Sequence, residues 1–406
     1  MQNHVFLNKQ PILDANKDLY AYQLTMESLT DDTIDASEWE ALAKTFYADL
    51  EEDVGVENIT AGKPIFYRAP PSLLRLERLP SVDCLSTLTV EVDANVLTDI
   101  DALTALKKLK KINVSIAIVD FKPNEACTKL LSIANIVKLN ANDFSPDEVT
   151  KEVEQLKSQQ KMIVMTGVET EEQFEQYQAS GADYYQGFFF VNPVFSSKKE
   201  LSNNKLSVLK LLAEVNEPDI SFEQLAETIG VDVGMTYKLL GAINHPKNNI
   251  PKRVETLKEA VNYMGLKRLK FWVNMMMMSS MEDVPDELLV VALVRAKFLE
   301  GMAEKMGTPE AKDTYFMVGL FSTLNAFLNI PMSDVVEQLP LAEDVKSALV
   351  EQSGNMGSAI WVIRSLEQGN TRLSIPGREQ IDMMIISNVY MAANGWAYKT
   401  ITTLNA

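Results

Sequence analysis

The chain has 406 residues and only two cysteines, Cys84 and Cys127. Two thiols cannot frame a disulfide scaffold, so each reads as a small buried apolar side chain. No apolar run reaches the ~18 residues that a membrane helix needs. The amino terminus, MQNHVFLNKQ, is polar and lacks a signal-peptide core. These absences predict a cytoplasmic chain without membrane insertion. Basic charge is also scarce: 38 Lys and Arg stand against 56 Asp and Glu, a formal net charge of −18. Such a field repels nucleic acid and anionic membranes. There is no internal repeat of fixed period and no low-complexity segment.

The apolar fraction is 46 % and the charged fraction 23 %, the balance of an ordinary globular protein. At this length two domains are expected. Up to about residue 195, short β-branched or aromatic runs alternate with amphipathic ones. The runs at 63–69, 87–93, 112–120, 134–140, 161–167 and 182–190 read as strands. Between them lie helix starts. Ser145, Pro146 and Glu148 make a capping box, and a helix beginning at Thr170 stops at Gly181. So many strand–helix units predict a closed α/β barrel, with trimmed helices given the short length. A polar linker follows, and the rest reads as helix only. Ser221 and Gln224 form another capping box. The run 284–307, with Pro285 at its start and Gly307 at its end, places Val291, Val294, Phe298, Leu299 and Met302 on one face. The expected organisation is α/β plus all-α: a barrel over 1–197, a linker over 198–204 and a helical domain over 205–406.

Two stretches carry a family resemblance. The opening LNKQPILDANKDLYAYQLTMES and the more specific VETEEQFEQYQASGADYYQGFFFVNP are similar to the first and last strands of the EAL domain. That domain is the TIM-type barrel of cyclic di-GMP phosphodiesterases. The resemblance covers residues 3 to about 195 and implies metal-assisted cleavage of a phosphodiester, which needs converging oxygen ligands. Position by position, the former active site is depleted. Gln23 stands where the resemblance implies a metal-binding Glu, and Glu27 where it implies an Arg that meets phosphate. The metal-binding Asn falls near Tyr67 or Arg68. Glu91 is retained. Where the resemblance implies an Asp-Asp pair the chain has Val119 and Asp120, so the first acid is absent, and Asp120 reads as a remnant, since neighbouring strand positions face opposite sides. Lys138 is retained, but the next acid is Asn140. Thr166 replaces a Glu, while Glu169 stays. Glu91, Asp120, Lys138 and Glu169 are expected to pair with one another in the barrel mouth, because buried charges persist when paired. Gln186 and Gly187 are expected to serve the strand turn.

In the helical half, LAETIGVDVGMTYKLL has helix-turn-helix spacing with Gly230 in the turn. Its second helix, from about Val233 to Leu240, offers one basic residue, Lys238, too few for DNA. The basic run Lys247, Lys252, Arg253, Lys258, Lys267, Arg268 and Lys270 reads as a solvated face. LLGAIN (239–244), VETLKEAVNYMGLKRLKFWVNMMMM (254–278) and later segments to about 370 resemble the HDOD domain, a relative of the HD phosphohydrolases without their catalytic residues. Only His4 and His245 are present, so no histidine-rich metal centre can form there; His245 reads as a helix-end residue. Met275–Met278 and the tryptophans Trp272, Trp361 and Trp396 are expected in the core.

Both halves together resemble the two-domain EAL–HDOD (YuxH-like) bacterial signalling proteins. The expectation from sequence is a non-enzymatic signalling or scaffold protein. It has no catalytic residue, metal or cofactor, and it acts through a protein partner, a second copy of itself being one candidate. The substitution of Glu27 for Arg argues against cyclic di-GMP. A cyclic di-GMP receptor and a weak phosphodiesterase remain as alternatives.

Overall fold

The computed structural model describes residues 5–28, 41, 59–68, 74, 85–193, 202–217, 219–230, 233–245, 252–281, 283–370, 373, 375, 381 and 383–404. The chain divides into two compact units. One comprises Met1–Val194 and Val362–Gly395, the other Phe195–Trp361 and Trp396–Ala406. The expected boundaries placed everything after residue 205 in the helical domain; residues 362–395 instead cluster with the barrel.

Eight strands close the barrel: β1 (Val5–Asp14), β2 (Leu19–Ser28), β3 (Ile65–Arg68), β4 (Leu88–Val92), β5 (Ser115–Ile118), β6 (Ile136–Asn140), β7 (Met162–Thr166) and β8 (Tyr184–Gln186). Strands β2 to β8 run parallel, while β1 is antiparallel to both its neighbours, β2 and β8. The reversal follows from chemistry in the β1–β2 turn. Asp14 accepts the backbone N–H groups of Asn16 and Asp18, and Lys17 takes the left-handed conformation that closes a tight hairpin. One end of the barrel is therefore formed by the carboxyl ends of β2–β8 and the amino-terminal half of β1.

Among the described residues, the α-helices between these strands are α1 (Ile100–Lys111), α2 (Glu125–Leu130), α3 (Pro146–Ser158) and α4 (Glu171–Gln178). The capping boxes read from sequence are present. Glu148 accepts the Ser145 N–H at 2.8 Å, and Thr170 accepts the Gln173 N–H at 3.2 Å. Inside the barrel, Ile12, Ala21, Phe66, Ala117, Ile136 and Val164 form a dry floor. Side chains two residues further toward the mouth on the same faces are Gln10, Gln23, Arg68, Val119, Lys138 and Thr166. The strand alternation that builds the core thus also fixes which residues enter the site.

The remaining helices are α5 (Asn203–Val215), α6 (Phe222–Gly230), α7 (Val233–Ile243), α8 (Leu257–Ser279), α9 (Asp286–Lys305), α10 (Lys312–Phe321), α11 (Leu324–Leu328), α12 (Met332–Glu337), α13 (Glu343–Glu351), α14 (Gly354–Glu367) and α15 (Met383–Leu404). Helix α8 is broken at Gly265, where φ is +78°. Helix α9 is buried well beyond the one face expected, taking in Glu287, Leu288, Ala292, Leu293, Arg295 and Ala296, as befits a central helix. Met275, Met276, Met277 and Met278 are all buried, the core role expected of them. Trp272 is buried, and Trp396 packs against Phe271 and Phe316. Trp361 departs from the core expectation: it is 41 % exposed. Neighbouring Ile360 and Val362 take the buried side of that helical turn, which turns position 361 outward. His245 lies just past α7, its N–H on the Ala242 carbonyl, a helix-end role as expected. His4, Lys247 and Cys84 lie outside the described residues, while Cys127 is buried.

Helices α9 and α10 touch backbone to backbone at Gly319, where an added methyl would sit 2.5 Å from the Arg295 carbonyl oxygen. Gly319→Ala is expected to destabilise the helical unit by about 1–3 kcal/mol through overpacking. A lower urea midpoint with an unchanged slope checks this.

Candidate functional site

A chain of buried polar side chains crosses the barrel mouth. Glu91, on β4, and Lys138, on β6, are 1 % and 2 % exposed, and the Lys138 ammonium donates to Glu91 Oε1 at 2.5 Å. Gln23 Nε2, from β2, donates to Glu91 Oε2 at 2.5 Å. Gln186 Nε2, at the end of β8, donates to Gln23 Oε1 at 2.6 Å and to Gln10 Oε1 at 2.7 Å. Gln10 Nε2, from the reversed β1, donates to the Glu367 carbonyl at 3.0 Å. An ionised carboxylate only accepts, so Glu91 fixes the amide orientation of Gln23, and Gln23 fixes that of Gln186. The network has one polarity from end to end.

Burial lowers the Lys138 pKa, and the adjoining Glu91 carboxylate works against that shift. The pair survives burial because both partners are hydrogen-bonded, and the ammonium also lies 5.7 Å from the Phe66 ring centre.

The other expected positions are less convergent. Asp120 does not join Glu91 and Lys138. It pairs with Arg68 at 3.2 Å, and both side chains are well exposed. Strand β5 ends at Ile118, and Asp120 has φ +49°, so its direction is set by a left-handed turn residue rather than by strand alternation. Val119 is buried. The Thr166 hydroxyl donates to the Leu139 carbonyl at 3.4 Å. Asn140 caps its own turn by accepting the Asn142 N–H. The backbone of Glu27 pairs with Phe6 near the end of β2; its side chain lies outside the described residues.

Glu169 also stands apart from the expected pairing. Its pKa is raised by burial, an effect opposed by a hydrogen bond from the Phe188 N–H and reinforced by the charge of Glu367. Its Oε2 is buried and meets no donor among the described residues. The mutual pairing expected of the four charged residues therefore holds for Glu91 and Lys138 only.

Gln186 does more than serve a turn: its amide is the branch point of the network. Its neighbour Gly187 does serve the turn. With φ +146°, a methyl there would lie 2.0 Å from the Val168 carbonyl oxygen. Gln10 and the Glu367 carbonyl were not anticipated. Gln10 carried one available signal, a polar residue two positions before Ile12 on a strand. Glu367, 357 positions away from Gln10, carried none.

The two-metal arrangement that the EAL resemblance implies needs converging carboxylates. Both oxygens of Glu91 are engaged, Asp120 faces Arg68, and positions 23, 119 and 166 offer no carboxylate. No three His, Cys, Asp or Glu side chains among the described residues are grouped to share an ion. In this arrangement the residues do not fit a two-metal centre.

Comparison with known proteins assigns the architecture. The EAL domain matches residues 73–193 and the HDOD domain residues 204–351. The chain carries an EAL barrel followed by a helical HDOD region. It is 22 % identical over 403 residues to the uncharacterized protein YuxH of Bacillus subtilis (strain 168), covering 97 % of this chain and 98 % of that one. It is 26 % identical over 374 residues to the cyclic di-GMP phosphodiesterase CdgJ of Vibrio cholerae serotype O1, covering 90 % and 85 %. Among solved structures, an EAL domain protein from Listeria monocytogenes EGD-e matches with 19 % identity and a TM-score of 0.36, covering 46 % of this chain and 87 % of that one. No helix among the described residues is long and apolar enough to cross a membrane.

These matches correct the expectation that the chain is not an enzyme. The EAL match and the long similarity to CdgJ point toward a phosphodiesterase.

Two outcomes test the site. Lys138→Met strands a buried carboxylate and Glu91→Leu strands a buried ammonium, so each single change is expected to cost about 3–5 kcal/mol, with the double variant recovering most of it. Urea unfolding of all four chains measures the coupling. Glu169 has a folded pKa above its unfolded value, so the folded state holds that proton more tightly. Its contribution to stability falls as pH rises from about 4.5 through the folded value. Glu169→Gln is therefore expected to raise Tm at pH 7 and to lose that advantage at pH 4.

Proposed function

We propose that this chain works in cyclic di-GMP signalling, with the EAL barrel taking the dinucleotide at its mouth and hydrolysing it slowly. The observation that carries this reading is the retained Glu91–Lys138 pair, held inside a barrel whose β1 is reversed. Lys138 supplies a cation for a phosphate, and Arg68 supplies another at the rim. Each Glu91 oxygen already accepts a hydrogen bond, from Gln23 or Lys138, so anything else that uses this carboxylate competes with those donors. That competition is the reason slow turnover is expected. The phosphodiesterase name of CdgJ supports hydrolysis over other reactions of the same ligand.

The HDOD region is read as the partner-binding half, engaging another protein or a second copy of the chain. Its exposed aromatic residues support this: Tyr237 is 80 % exposed, and Tyr263 and Trp361 also face outward. The exposed Lys252, Arg253, Lys258, Lys267 and Arg268 fit the solvated face expected of them, whereas Lys270 departs from it, half-buried with its ammonium donating to the Glu217 carbonyl.

The test is calorimetry with cyclic di-GMP, with and without Mn²⁺, followed by chromatography of the same samples for the linear product. Binding with slow product formation is expected, with Glu91→Gln reducing product about tenfold or more. Binding without product after long incubation would overturn hydrolysis. No heat at high ligand concentration would overturn the whole reading.

A further inference from the structure

The segments Val362–Asn370 and Met383–Gly395 belong to the same compact unit as the barrel, and their contacts gather at one end of it. Gln10 donates to the Glu367 carbonyl, and Arg364 Nη2 donates to Asn192 Oδ1 at 3.2 Å. A methyl added at Gly369 would lie 3.2 Å from Asn8 Nδ2. The Tyr390 ring centre is 5.4 Å from that of Phe6. Phe6, Asn8 and Gln10 lie on the mouth side of β1, Asn192 follows β8, and Glu169, which feels the charge of Glu367, follows β7. These positions rim the mouth that leads to Glu91 and Lys138. Asn8 on this rim, and Gln23 and Gln186 beneath it, are all at least nine-tenths buried.

We infer that these C-terminal segments are a built-in plug on the barrel mouth, and that a dinucleotide reaches the Glu91–Lys138 pair only when the plug withdraws. This rests on the reading that cyclic di-GMP enters at the mouth. The contact combines single hydrogen bonds from Gln10 and Arg364 with the Phe6–Tyr390 ring pair, and Leu366, Ile386, Tyr390 and Ala393 on these segments are almost fully buried. The Glu367 charge also lies close enough to Glu169 to help raise its pKa. Ligand and plug compete for one site, so apparent affinity is reduced by the fraction of molecules that are closed. Gly369 has φ +80°, and a side chain added there would press on the Asn8 amide.

The test reads the plug without relying on the ligand. In a full-length chain carrying Cys84→Ala and Cys127→Ala, Asn8→Cys reports exposure of the rim by its rate of reaction with a maleimide. Arg364→Ala and Gly369→Val, made separately in that background, are each expected to raise the rate about tenfold or more with the fold retained by circular dichroism. Unchanged rates in both folded variants would overturn the plug. Hydrogen exchange is then followed at 383–395 with cyclic di-GMP added. Loss of protection on binding is expected, and binding with protection unchanged would overturn the competition. If cyclic di-GMP binds to none of these chains, the functional reading fails while the labelling rates still decide the plug.

Discussion

The constraint on which the barrel mouth depends is the burial of Glu91. A carboxylate removed from water needs a cation and hydrogen-bond donors. Lys138 supplies the cation and Gln23 the second donor, so both oxygens of Glu91 are engaged. Because Gln23 must present its amide N–H₂ to Glu91, its oxygen faces Gln186, and Gln186 must donate in turn. One buried charge thus orients side chains from β2, β4, β6 and β8, and through Gln186 it reaches Gln10 on β1.

The same interaction sets the chemistry available. A carboxylate with both oxygens occupied is a reserved ligand, and an ammonium held by that carboxylate is a reserved cation. Whatever enters the mouth must exchange these partners for its own. A phosphate can do so with Lys138, and an electropositive ligand can do so with Glu91, but each exchange strands the other partner unless both happen together. This coupling separates the site from an open acidic cluster, even though the barrel is of the EAL type.

The reversed β1 contributes in a different way. Its hairpin with β2 brings the amino-terminal half of β1 to the functional end of the barrel, where a parallel strand would have brought its carboxyl end. Gln10 and Asn8 become rim residues for this reason. They are also the residues that meet Glu367 and Gly369, so the strand reversal creates the surface on which the C-terminal segments rest.

The sequence by itself determined six of the eight strands, the capped helices after Ser145 and Thr170, the order of an α/β barrel followed by helices, and the residue types at positions 91 and 138. Those features are local or periodic: alternation in 112–120 or 134–140, a Ser-Pro-x-Glu cap at 145–148, or a residue type at a motif position. Tertiary structure decided the rest. Asp120 left its expected neighbours because a left-handed turn, invisible to strand alternation, re-aimed it toward Arg68. Glu169 stayed unpaired because its surroundings after β7 supply backbone donors and another acid rather than a lysine. Residues 362–395 joined the barrel although their helical pattern matched the preceding segments. Helical periodicity reports that one face is buried, and only the folded chain shows against what.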